Sequence, residues 1–162
     1  LFASESGVSM SERLARVNHF LHERTGGEKY ATLFSCTVDA AGRLVYVNAG
    51  HCAPLWLRAS GEIAALLPTA MPVGLMETAE YPEDAIVLAP GDKIVIYSDG
   101  ITEAMNAQGA FFGLKRLKET VRAWAVGSAS ELHRGLMDAV AAFTTGAIQN
   151  DDATLVVLEY QP

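Results

Sequence analysis

The 162 residues hold only two cysteines, no basic tract, no internal repeat and no apolar run near the length of a membrane span. Each shortage excludes something. Cys36 and Cys52 cannot form a disulfide framework, and the strand register proposed below does not set them opposite each other. They read as reduced, buried thiols of a reducing compartment. Lys and Arg number 12 against 19 Asp and Glu, a net charge of −7. That balance argues against nucleic acid, whose phosphates are held by excess cationic side chains. A negative protein that handles phosphate needs a local positive centre, which a bound metal ion would supply. Without a spanning segment, or a positive start followed by an apolar stretch, the expectation is a soluble, unexported, cytoplasmic protein that makes no membrane contact.

Half the residues are apolar and 19% are charged, the balance of a globular chain, and the length suits one domain with a real core. Residues 11–24 read as an amphipathic helix: Leu14, Val17 and Leu21 recur at helical spacing, and Thr25-Gly26-Gly27 stops it. Residues 30–38 and 43–49, rich in β-branched and aromatic side chains, flank the turn Asp39-Ala40-Ala41-Gly42 and form a hairpin. A second hairpin pairs residues 55–58 with 63–67. Residues 68–84 show little periodicity and read as a loop or flap. Two short strands, 86–88 and 93–97, flank Ala89-Pro90-Gly91-Asp92.

Two helical stripes follow, one of Leu114, Leu117, Val121 and Trp124, the other of Leu132, Leu136, Val140 and Phe143. Ser128 and Glu131 have capping-box spacing at the start of the second. Residues 154–160 form a last strand. The order is that of an α+β fold: two antiparallel β-sheets packed as a sandwich, with antiparallel helices on the outside.

Two acidic spots interrupt apolar segments. Ser98-Asp99-Gly100 follows the strand at 93–97 directly, and Asn150-Asp151-Asp152 comes just before the last strand. Adjacent carboxylates repel and are costly without a cation. Oxygen donors with no His or Cys cluster suit Mg²⁺ or Mn²⁺ rather than zinc. The plainer alternative is that these aspartates only shape turns. His51 would stabilise a phosphate oxygen or sit bonded to backbone in a turn, and Gly50, Gly74 and Gly100 read as turn formers. His19, His22 and His133 have no partner spacing and read as ordinary helix residues.

Four stretches, taken in order, resemble one family. They are Tyr30-Ala31-Thr32-Leu33-Phe34 leading to Val47-Asn48-Ala49-Gly50-His51-Cys52-Ala53-Pro54; Pro72-Val73-Gly74-Leu75; Leu88-Ala89-Pro90-Gly91-Asp92 through Tyr97-Ser98-Asp99-Gly100-Ile101-Thr102-Glu103-Ala104; and Asp151-Asp152-Ala153-Thr154-Leu155-Val156-Val157-Leu158. Together the chain resembles the SpoIIE/RsbU-like branch of the PPM (type 2C) serine/threonine protein phosphatases, over nearly its whole length.

The resemblance implies two Mg²⁺ or Mn²⁺ ions in the complete domain, with a metal-bound water as nucleophile and no catalytic side chain of its own. It implies Asp99 and Asp151 as ligands of one ion. Asp152, Gly100 and His51 are then auxiliary, since Asp152 stands where many type 2C relatives carry Asn and His51 near where eukaryotic relatives carry an Asp. The remaining ligands of the family come from an earlier Gly-Asp segment. Residues 1–162 therefore read as a domain truncated at its N-terminus, inactive by itself, with unpaired sheet edges that invite a homodimer. The implied substrate is a phosphoprotein, a phosphorylated STAS-type anti-sigma-factor antagonist, with a sensory or receiver domain upstream. The rivals are a phosphatase-like binding module without catalysis, and an unrelated oxygen-ligand metal hydrolase.

Overall fold

A computed structural model describes residues 7–147 and 152–161. In chain order the elements are α1 (Met10–Thr25), β1 (Leu33–Val38), β2 (Arg43–Ala49), β3 (Leu55–Leu57), β4 (Ile63–Ala65), β5 (Asp84–Val87), β6 (Lys93–Tyr97), α2 (Asp99–Thr102), α3 (Gly113–Ala123), α4 (Ala129–Phe143) and β7 (Leu155–Glu159). They form two antiparallel sheets and four helices, an α+β fold as expected. No described helix is long and apolar enough to cross a membrane. The chain divides into two compact units that alternate along the sequence: residues up to Ala53 with Leu67–Val87, and Pro54–Leu66 with the residues from Leu88 onward.

In the first unit, α1 starts at a capping box. The Ser9 hydroxyl accepts from the Glu12 N–H at 3.2 Å, and the Glu12 carboxylate accepts from the Ser9 N–H at 3.0 Å. Gly26, at φ +62°, ends the helix in the left-handed conformation. Beside it lies a sheet in the order β1-β2-β5, in which Cys36 faces Tyr46, so the two thiols are indeed not paired. Cys52 lies past the end of β2 rather than within a strand. Leu14, Val47, Ala49, Val73 and Tyr81 make the core.

Loop residues 68–83 are held rather than loose, and Asn18 holds them. Its Oδ1 accepts from the Gly74 N–H at 2.8 Å and the Tyr81 hydroxyl at 2.9 Å. Its Nδ2 donates to the Met76 carbonyl at 2.9 Å and the Glu77 carbonyl at 3.3 Å. A buried amide in an otherwise apolar stripe is tolerated because every polar atom is matched.

The second unit is built on a sheet in the order β4-β3-β6-β7. The strand expected at 86–88 is β5, shifted to Asp84–Val87, and the one at 93–97 is β6; β5 pairs with β2 and β6 with β3, so the chain changes sheet at the turn between them. Asp92 anchors that turn: its buried carboxylate accepts from Trp56 Nε1 at 2.9 Å, the Ala59 N–H at 2.8 Å and the Ala89 N–H at 3.0 Å. Leu117, Val121, Leu132, Leu136 and Val140 are buried between α3, α4 and the sheet, as their spacing predicts. Leu114 and Trp124, expected in the same stripe, lie at its ends and are exposed, although the Trp124 indole packs on Gly135.

Candidate metal centre

β6 and β7 run antiparallel with Tyr97 opposite Leu155, so the end of β6 and the start of β7 open on the same side of the sheet. Ser98 ties the two chain ends together. Its N–H donates to the Thr154 carbonyl at 3.0 Å, its hydroxyl donates to the Asp152 carbonyl at 3.2 Å, and the same hydroxyl accepts from the Thr154 N–H at 2.9 Å. One side chain at the end of β6 thereby satisfies two backbone groups at the start of β7.

Asp99 opens α2. Its carbonyl accepts from the Glu103 N–H at 2.7 Å and closes the helical turn. One carboxylate oxygen accepts from the Gly100 N–H at 3.0 Å, which fixes the side chain while the residue stays exposed. Gly100 is buried, and a Cβ there would run into the backbone carbonyl of Asp152. The absence of a side chain at residue 100 is what lets the two turns close together. Gly100 was read as a turn former; its use is this close approach, at an ordinary helical φ, since it is not among the glycines of positive φ.

The structure thus brings Asp99, Gly100 and Asp152 to one place in the second unit. Asp151 lies outside the described residues. His51 belongs to the first unit, where its N–H donates to Asn48 Oδ1 at 2.9 Å and its Nδ1 lies 3.5 Å from the Thr32 hydroxyl. The partner of the ring is thus a side-chain hydroxyl, and the bond at Asn48 is made by the His51 main chain. Among the described residues, no three His, Cys, Asp or Glu side chains converge as a ligand set. The chemistry present does fit a hard cation: Asp99 offers an exposed carboxylate with oxygen lone pairs to spare, next to Gly100, against which the Asp152 carbonyl packs. Ser98 has no role predicted from sequence, although a serine at a strand end, one residue before the acid, is a signal for one.

Two antiparallel sheets with four helices, as the described residues form them, are the fold of the PPM class of phosphatase domains. The chain belongs to the SpoIIE family, described as Stage II sporulation protein E, which matches residues 2–161. It is similar to Protein IcfG of Synechocystis sp., at 32% identity over 130 residues, covering 80% of this chain and 20% of IcfG. It is similar also to Phosphoserine phosphatase RsbU of Bacillus subtilis, at 24% identity over 156 residues, covering 95% of this chain and 46% of RsbU. The chain therefore spans a fifth to just under half of these relatives. Among solved structures, the PP2C phosphatase domain of SpoIIE from Bacillus subtilis superposes with a TM-score of 0.78 at 24% identity, covering 96% of this chain and 45% of that one. That likeness speaks to the fold.

Proposed function

We propose that the protein carrying this chain hydrolyses phosphoserine or phosphothreonine on a regulatory protein of a bacterial signalling pathway. The proposed substrate is a phosphorylated STAS-type anti-sigma-factor antagonist, and a sensory or receiver domain upstream would control the activity. The reading rests on one observation: the turn bearing Asp99 and the turn bearing Asp152 are clamped by Ser98 at one end of β6 and β7. The name of RsbU, a phosphoserine phosphatase, supports the reaction class.

In this proposal Asp99 and Asp151 are ligands of a shared Mn²⁺ or Mg²⁺, with Asp152 in support. When bound, a pair of such ions supplies Lewis acidity that makes water nucleophilic and offsets the phosphate charge. The residues of this chain orient the donors. The Gly100 N–H aims the Asp99 carboxylate, and Ser98 and the bare Cα of Gly100 hold the second acidic turn against it. Preset oxygens spare the reorganisation that flexible carboxylates would need on binding.

The test is phosphate release from a phosphoserine peptide by the full-length protein in Mn²⁺. Asp99→Asn is expected to lower the rate by roughly two orders of magnitude or more, with an unchanged circular dichroism spectrum. Turnover at the unmodified rate would remove Asp99 from the site.

A further inference from the structure

The charge of this protein is unevenly spread, and the expectation of no basic tract fails at α3. The 11 residues of α3 carry Lys115, Arg116, Lys118 and Arg122 against the single acid Glu119, a net of +3. The remaining residues hold 8 basic against 18 acidic side chains, a net of −10. Helical spacing sets Lys115, Lys118 and Arg122 on one face, turned away from the fully buried Leu117 and Val121.

Helix stability does not account for Lys115 and Lys118, whereas Arg122, in the last turn, also suits the negative end of the helix. α1 and α4 begin with serine caps and an acid in the first turn, Glu12 and Glu131, which suit the positive end of a helix. α3 has no side-chain cap and no acid in its first turn, and Lys115 stands there instead. Arg116 is occupied within the fold, since it donates to the carbonyls of Phe111 and Phe112, each at 3.0 Å, and lies 4.8 Å over the Phe143 ring. The side chains of Lys115, Lys118 and Arg122 make no ion pair or hydrogen bond among the described residues.

This face is continuous with the candidate metal centre. α2, which begins at Asp99, packs against α3. Between them the chain makes a tight hairpin: the Phe112 N–H donates to the Ala104 carbonyl at 2.8 Å, and Asn106 Oδ1 accepts from the N–H groups of Gln108 and Ala110. Phe112 is buried edge-on to Phe143, while its neighbour Phe111 is 55% exposed and Leu114 is 45% exposed. Two exposed apolar side chains therefore precede the three cations along the chain that leads from Asp99. A helix of this length spans about 16 Å, the reach of about five extended residues.

We propose that the outward face of α3, with Lys115, Lys118 and Arg122 beside Phe111 and Leu114, docks an acidic segment flanking the phosphorylated residue of the protein substrate. The proposal rests on the hydrolase reading above and adds the substrate's charge to it. A protein segment suits the face better than a lipid surface, because membrane-bound helices turn their apolar side outward to the lipid. The apolar side of α3 is buried within the fold.

The experiment compares two phosphoserine peptides, one flanked by glutamates and one by lysines, and p-nitrophenyl phosphate, all with full-length protein in Mn²⁺. The unmodified protein is expected to favour the glutamate peptide by about tenfold in kcat/KM at low salt, through KM, with the preference fading as salt rises. Lys115→Glu/Lys118→Glu/Arg122→Glu should reverse the preference and leave p-nitrophenyl phosphate turnover unchanged. The triple glutamine variant, gentler on the fold, should abolish it. The same peptide preference in all three proteins would overturn the docking face while leaving the hydrolase reading intact. No phosphate release from any of the three substrates by the unmodified protein would overturn both. Cosedimentation with phosphatidylserine vesicles that is lost in the glutamate variant, with peptide kinetics unchanged, would assign the face to lipid and overturn the proposal.

Discussion

The backbone carbonyl of Asp152 lies directly over the Cα of Gly100, where no side chain would fit. Both partners of that contact are main chain, so neither can swing aside as a long side chain would. Gly100→Ala is therefore expected to push the two acidic turns apart. The loss should appear first in Mn²⁺-dependent turnover of the full-length protein, with a thermal midpoint lowered by a few degrees, an overpacking cost of about 1–3 kcal/mol. A variant with full activity would show that the closeness of the turns is incidental.

Asn18 makes a second prediction. Asn18→Ala removes four hydrogen bonds and leaves the Gly74 N–H and the Tyr81 hydroxyl buried without their acceptor. The expected cost is about 2–4 kcal/mol in urea unfolding. Amide exchange should quicken most across residues 68–83. Asn18→Asp keeps the acceptor oxygen but sets a carboxylate against two carbonyls, so its deficit should shrink as the pH is lowered and the acid takes up a proton.

Tyr46 carries a prediction about alkali. Burial, and then the hydrogen bond to Asp84 at 3.0 Å together with that carboxylate's charge, push its hydroxyl up to about 12 from an ordinary 10. The folded protein keeps this proton where the unfolded chain has released it. The stabilising contribution is complete below pH 10 and declines as pH rises through the window from 10 to 12. Tyr46→Phe should lose the bond to Asp84, yet show a shallower decline in urea midpoint across that window. An equally steep decline would place the alkaline sensitivity elsewhere.

The strands that could be read in full from sequence were those with sharp punctuation. Residues 43–49 and 93–97 match β2 and β6 because Gly42 and the Pro90-Gly91-Asp92 turn mark where each begins. Ser128 and Glu131 announced α4, and the same spacing in Ser9 and Glu12 would have placed the start of α1. Other features leave no local trace. A four-residue helix such as α2 is too short to show a period. Asn18 looks like any polar residue on a surface helix until the loop closes over it, and Tyr81, fully buried, lies in a segment with no apolar pattern at all. That β5 and β6 part into different sheets depends on pairings with β2 and β3, which are distant in sequence. For the site, the acidic turns were visible as interruptions of apolar runs. Their closeness through Ser98 and Gly100 was not, because it depends on the pairing of β6 with β7, nearly 60 residues apart.

The alternation of the two units along the chain sets an order of events during synthesis. β3 and β4 emerge before β6, their eventual neighbour in the sheet, has been translated. At ribosomal speeds of about 5–20 residues per second, the Leu55–Ala65 hairpin waits a few seconds for Lys93–Tyr97. A hairpin with arms of three residues does not hold by itself for that interval. The nascent second unit thus lacks its sheet until β6 arrives, and the edge of β3 that β6 will cover stays open to other strands in that interval.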